Sequence, residues 1–439
     1  MRSARKITIA AVAAGALALT GCSAGSLGSS DDKGGDGNVT LSFLVDNGPE
    51  TVKIGNGLIK DFTAKNPNIT IKLETRPAGT DGDNLIKTRL STGDMSDVFM
   101  YNSGSLFQAM APEKNLVELG DTENIGNLDK NFTSTVTANG KVYGVPWGGF
   151  MAGAILYNKD VYAKLGLQIP KTWADFMANN AKIKASGVAP VIQTYGETWT
   201  SQLFVLGDFH NVSAADAQFA DKYTKNQAKY ATTPAAEAGF QHLQDVHDAG
   251  YENKDFASAK VTDGLRQLVQ GKGAQYPILS AVVSQMLAEN PGSGDKVGLF
   301  ANPGTDAGQN GLTVWSPNGV YIAKTATGAK LDAAKKFLAF IASPDGCASQ
   351  TTASTPTGPY AVKGCTVGDS VPQAIKDMQA YIDGGKSSLA LEFLSPVKGP
   401  SLEQICVEVG SGIRKADAGA KLYDEDVKKQ AQQLGLEGW

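Results

Sequence analysis

The sequence predicts an α/β protein divided into two domains, on two observations. Short runs of alternating apolar residues take turns with helical stripes, and strand, helix and strand at that spacing form a parallel unit whose crossover helix covers the sheet. The chain is also 439 residues long, more than one core usually serves.

The elements follow in order. Arg2, Arg5 and Lys6 precede an apolar run from Ile7 to Leu19, too short to persist as a membrane span and built like an export signal over residues 1–21. The stretch LTGC at 19–22 resembles the lipobox of bacterial lipoproteins, which would make Cys22 the lipidated first residue of the exported chain. An ordinary secretory signal with an incidental cysteine is the alternative, and export follows from both. Residues 22–38 are rich in Gly, Ser and Asp with only Leu27 to bury, and are expected to form a flexible tether. Membrane attachment would rest on the lipid alone, at about 0.8 kcal/mol per buried methylene. No later segment approaches the roughly 20 apolar residues of a spanning helix.

In the folded body Val39, Leu41, Phe43 and Val45 alternate as a strand does, and the run breaks at Asp46, Asn47, Gly48 and Pro49. Leu58, Ile59 and Phe62 make a helical stripe that stops near Asn66 and Pro67. Ile69, Ile71 and Leu73 alternate again, Leu85, Ile86 and Leu90 mark a second helix, and DVFMY at 97–101 reads as a buried strand. Open α/β sheets bind ligands beyond the carboxyl ends of their strands. That singles out Asp46, Asn47, Tyr101 and Asn102, although Asn and Asp serve equally well as turn formers.

Further on, LSTGDMSDV (90–98), GKVYGVP (140–146), LYNKD (156–160) and LGLQIPKTW (165–173) occur in order, followed by GVYIAK (319–324) and a helix over 331–341. In sequence and spacing the chain resembles the extracellular solute-binding proteins of ABC sugar importers, the maltose-binding-protein-like group, over nearly all of its exported length. One departure is that GKGAQYPIL (271–279) is not followed by the tryptophan common in relatives, so a stacking contact usual there is missing. The resemblance implies a two-lobe, type II periplasmic-binding-protein-like fold with a ligand cleft between lobes joined by hinge crossovers. Lobe 1 would take residues 39–148 and 308–364, and lobe 2 residues 149–307 and 365–439. The stretch VYGVPWGGFMAGAILYNKD (142–160) is then the first crossover, where Gly148, Gly149 and Gly153 permit the backbone angles that a hinge or a close ligand requires.

Composition narrows the ligand. The whole chain holds 40 basic and 44 acidic residues, and three of the basic ones lie in the leader, so the exported part is acidic and has no basic run. Nucleic acid is therefore not an expected partner. Four arginines, Arg76, Arg89, Arg266 and Arg414, remain after processing, too few for an anion-binding cluster, which favours a neutral ligand. Of the exported thiols, Cys347 and Cys365 are the favoured disulfide, with Cys406 the competing partner, and a bond closing a loop of this size is worth about 3 kcal/mol. Cys406 sits in an apolar helical stretch and is expected to be buried and inert.

Catalysis finds little support. His210, His242 and His247 are the three histidines, and the last two are five apart, which places them on different helix faces, expected to be solvated, and not at metal-pair spacing. No nucleophile elbow, Walker loop or dinucleotide fingerprint is present. No metal or cofactor is expected. Binding fits better. Trp147, Trp199 and Trp315 are expected in polar, Gly- or Thr-rich loops where a ring can face a sugar, or alternatively cap a core. Tyr195, Glu197 and Gln202 surround Trp199 with hydroxyl, carboxylate and amide, though the same stretch could be a helix start capped by Thr198 or Thr200. Asn318 follows Trp315, Phe150 adds an apolar face, and Glu392 is a further ligand-binding candidate. Trp173 follows Thr172 in a Thr-x-x-Asp cap and is expected to dock a helix. The expected function is capture of an oligosaccharide by a monomeric, lipid-anchored protein that delivers it to ABC transporter permease subunits. A non-sugar ligand such as a peptide or metal chelate, or a secreted glycosidase, is the alternative.

Overall fold

The computed structural model describes residues 38–439 apart from Ala78 and Ser370. The export signal, Cys22 and the tether up to residue 37 lie outside the described residues. In chain order the strands are β1 (Val39–Asp46), β2 (Ile69–Arg76), β3 (Val98–Tyr101), β4 (Thr137–Ala138), β5 (Lys141–Val142) and β6 (Gly144–Trp147). They continue with β7 (Met151–Asn158), β8 (Ala189–Val191), β9 (Gly273–Leu279), β10 (Val297–Phe300), β11 (Leu312–Trp315), β12 (Asn318–Ile322) and β13 (Ser387–Leu389). The first sheet has the order β2-β1-β3-β12-β6, and the second runs β13-β11-β7-β9-β8 with β10 paired to β7. β4 and β5 form a separate hairpin.

The periodicity of the sequence explains the first sheet. Leu41, Phe43 and Val45 of β1 are fully buried, and Leu44 is buried on the opposite face, so helices must cover both sides. Helix Pro49–Lys65 supplies Leu58 and Phe62 to one of them. The run VFMY of β3 is buried throughout, as expected of a central strand.

Three segments connect the sheets. β6 passes into β7 through residues 148–150, β11 passes into β12 through Ser316 and Pro317, and the chain leaves helix Pro344–Ala353 for helix Gln373–Asp383, which packs on β10. The first and third segments are tied together: the Phe150 amide donates to Pro359 O at 2.8 Å, and Gly149 bridges Tyr360. A side chain at Gly149 would lie 2.2 Å from Gly358 O, so glycine is required for this approach, and Gly148 takes the left-handed φ of 78°.

Two expectations change here. β11 falls within the segment 308–364 assigned to lobe 1, yet it pairs with β7 and β13 in the second sheet, so the chain crosses at Ser316 and Pro317. Gly153, expected to serve the hinge, is instead inside β7, where an added Cβ would meet the Trp315 ring at 2.6 Å; the absent side chain makes room for the indole. Cys347 and Cys365 are joined across a Cα separation of 6.1 Å. The segment between them is only partly loop, since helix Pro344–Ala353 carries Cys347. Cys406 is buried in helix Leu402–Gly410, and burial pushes its thiol well above the ordinary value.

Candidate functional site

The register of the first sheet gathers the strand-end residues into one row. Asp46 stands beside Arg76, Tyr101 beside Gly319, and Asn318 beside Trp147. Asp46 Oδ1 accepts from the Gly48 amide at 2.8 Å, a turn contact, while Asn47 and Asn102 are exposed. The Tyr101 ring is fully buried and its hydroxyl has no partner; burial, then the Asp83 carboxylate, raises its pKa.

Arg76 belongs to this row although the sequence reading passed over it. It is 5% exposed, its guanidinium lies 5.5 Å from the Tyr101 ring centroid, and Nη1 donates to Pro77 O at 2.9 Å. Its Nε is buried without a partner. The signal that could have found it was the strand-end rule, applied to β1 and β3 and equally valid for β2. Two neighbouring buried donors without acceptors are uncommon in a folded protein, because each costs about 1–3 kcal/mol.

In the second sheet β9, β11 and β13 end, and β7 begins, on the edge nearest the crossovers. Trp315 is 7% exposed, and its Nε1 donates to Glu392 Oε1 at 2.5 Å, with Lys398 Nζ 3.6 Å from the other carboxylate oxygen. Phe393 carries this edge across to the first, since its ring lies 2.9 Å from where a Cβ on Gly104 would be.

The group around Trp199 is used differently from the sequence expectation. Residues Thr198–Gln202 form a 3-10 turn with Trp199 half-buried. Glu197 Oε2 accepts from the Val261 amide at 2.6 Å, so this carboxylate holds the first turn of helix Val261–Val269. Gln202 Nε2 donates to Trp199 O at 3.2 Å. Tyr195 is buried against Phe256 and the Gly410 backbone. Phe150 is 1% exposed and belongs to the core, so its ring offers no face to a ligand. Glu197, Gln202 and Phe150 therefore serve structure here, Glu197 holding a distant helix, Gln202 its own turn and Phe150 the core, while Tyr195 is buried with its hydroxyl unpartnered.

A cavity of about 350 Å³ lies where the crossovers meet. Trp147 and Asn318 line it from the first sheet, Met151 and Ser284 from the side of the second. Gln350 Oε1 accepts from the Gly148 amide at 2.8 Å, and Glu50 Oε2 accepts from Ser354 Oγ at 2.8 Å. Trp147 itself is anchored edge-on against Phe43, at 5.9 Å between ring centroids.

The histidines are not on solvated faces. His242 is buried and stacked on Trp173 at 3.6 Å, which brings its pKa down to about 3 through desolvation. His247 is half-buried, 3.0 Å from Glu252, whose carboxyl burial raises to about 7. Trp173 does dock a helix, with Thr172 Oγ1 accepting from the Asp175 amide.

Known proteins resemble this arrangement. The family described as bacterial extracellular solute-binding protein matches residues 48–346. The multiple sugar-binding protein of Streptococcus mutans is 28% identical over 316 residues, covering 70% of this chain and 71% of that protein. The melibiose/raffinose/stachyose-binding protein MelE of Bacillus subtilis is 23% identical over 293 residues, 65% of this chain and 66% of its own. The apo form of RafE from Streptococcus pneumoniae superimposes with a TM-score of 0.76 at 19% identity, over 92% of this chain and 99% of that one.

Proposed function

Because the chain belongs to the bacterial extracellular solute-binding proteins, we propose that it captures an oligosaccharide between two lobes and delivers it to the permease of an ABC importer. The fold is the two-lobed, type II α/β arrangement expected from the sequence. The observation that carries the reading is the meeting of two sheet edges at three crossovers, with a cavity lined from both sides. The sugar ligands named for the relatives support it.

In this reading lobe 1 holds residues 39–148 and 317–364, and lobe 2 holds 149–316 and 365–439. Asp46, Asn47, Arg76, Tyr101, Asn102, Trp147 and Asn318 form the lobe 1 wall of the site, and Trp199, Trp315 and Glu392 the lobe 2 wall. The tryptophan rings take the C–H faces of sugar units, and the Tyr101 hydroxyl with the carboxylate, amide and guanidinium groups takes the hydroxyls. Contacts to both walls at once exist only when the lobes close, so the ligand shifts the population toward closure by its differential affinity. An affinity of about micromolar corresponds to roughly −8 kcal/mol, within reach of several hydrogen bonds and one or two stacked rings. Cys22 carries the lipid anchor, the exported protein is a monomer, and it leaves the sugar's covalent bonds intact.

Calorimetry of the exported chain against di- to tetrasaccharides tests this, with small-angle scattering before and after saturation. One-to-one binding, a smaller radius of gyration and recovery of intact sugar are expected. Absence of heat from every saccharide together with unchanged scattering defeats the reading, and released monosaccharide would replace it with a glycosidase.

A further inference from the structure

A second pocket, of about 450 Å³, lies in lobe 2 and shares no lining residue with the cavity at the crossovers. That volume falls within the range of small-molecule sites, roughly 300–1,000 Å³. Its floor holds two ionisable side chains, Asp208 at 2% exposure and His242 at 4%. Asp208 Oδ1 accepts from Asn211 Nδ2 at 2.6 Å. Neither nitrogen of His242 makes a hydrogen bond among the described residues, yet the residue lines the pocket. Stacking on Trp173 does not call for those nitrogens: the indole Nε1 donates to Asp245, and a phenyl ring would serve the stack equally well. An imidazole that lines an open pocket and stacks on one face only leaves its nitrogens to whatever enters there.

We propose that this pocket is a second binding site, for a neutral, hydroxyl-rich molecule of monosaccharide size. Charge excludes the other classes. No lysine or arginine lines the pocket, so an anion finds no counter-charge. Of the rim carboxylates, Asp216 is paired with Lys222 at 2.7 Å and Asp306 is turned onto the Gly308 amide at 2.8 Å, and no cluster of carboxylates able to hold a metal ion is found among the described residues. Burial keeps the His242 ring neutral near neutrality, by bringing its pKa down to about 3, and raises the pKa of Asp208. Around them stand the hydroxyls of Thr233 and Thr305 and the amide of Gln309, with Pro234, Ala235 and Ala238 supplying an apolar wall. Mixed neutral donors and acceptors beside a small apolar surface suit a polyol. The site stands apart from the cleft reading and does not depend on it.

The test follows the imidazole signals of the exported chain by NMR during titration with glucose, galactose and myo-inositol at millimolar concentration. With three histidines in the chain, the His242 signal is identified by its loss in His242→Phe. At least one probe is expected to shift it saturably, equally in the wild type and in the cleft variant Arg76→Met. By saturation transfer, His242→Phe should weaken that probe about tenfold. Thr305→Val, which alters an exposed rim hydroxyl and leaves the Trp173 stack alone, should weaken it about threefold. The proposal is overturned if none of the three probes moves the His242 signal, if ammonium or acetate moves it instead, or if the response disappears in Arg76→Met.

Discussion

The two sheet edges that meet at the crossovers treat their polar groups in opposite ways. On the first, Arg76 Nε and the Tyr101 hydroxyl are buried without partners, and Asn47 and Asn102 are exposed. On the second, Trp315 is bonded to Glu392, Glu197 to the Val261 amide, and Gln202 to the Trp199 carbonyl. An edge with open donors is prepared for a ligand, whereas an edge whose groups are closed on one another is prepared to hold its shape. Substitutions of the open lobe 1 groups should therefore act on affinity, and substitutions of bonded lobe 2 groups such as Glu197 on stability.

The largest expected effect lies in lobe 2. Above its ordinary value of 6.5 His242 is neutral folded or unfolded; as the pH falls toward its folded value of about 3, only the unfolded chain takes up the proton. Stability should then be lost, on the order of 3 kcal/mol by pH 4. Urea midpoints of His242→Phe measured between pH 7 and 4 should fall less steeply than those of the wild type.

Arg76→Met is the matching probe of lobe 1. Removing the guanidinium should weaken sugar binding by about 2 kcal/mol in calorimetry while the urea midpoint stays near wild type. A large stability loss with unchanged affinity would reverse the contrast between the edges. Trp199→Ala tests whether lobe 2 contributes a ring at all: affinity should fall by about 1–2 kcal/mol, and an unchanged value removes Trp199 from the cleft. The smallest effect is expected for Glu197→Gln, which weakens the hold on helix Val261–Val269 and should cost about 1 kcal/mol of stability without touching affinity.

Much of the fold was legible because its signals are local. Alternation in β1 and β2, the apolar run of β3 and the stops at Gly48-Pro49 and Asn66-Pro67 each depend on a few adjacent residues, and the elements stand where those patterns put them. Strand ends also located Asp46, Asn47, Tyr101 and Asn102 in one row, because sheet register converts sequence position into spatial position. The neighbourhood of Trp199 was less legible. Glu197 is 64 residues from the amide it binds, and nothing local reports that the helix beginning at Val261 needs it. His242 was misread although Gly239, Leu243 and Val246 put it on the buried face of its own helix, where it stacks on Trp173 of a distant one. The crossing at Ser316 was displaced because β11 is apolar and short, equally suited to either sheet until its pairing with β7 is known.

The pairing of Gly149 with Tyr360 has a mechanical consequence. Two of the three links joining the halves are fastened side by side, so they bend as a single ribbon and resist being twisted past each other. Motion is thereby restricted to folding about one line, as with the spine of a book. A guest that enters on one page meets the same facing page every time the protein shuts.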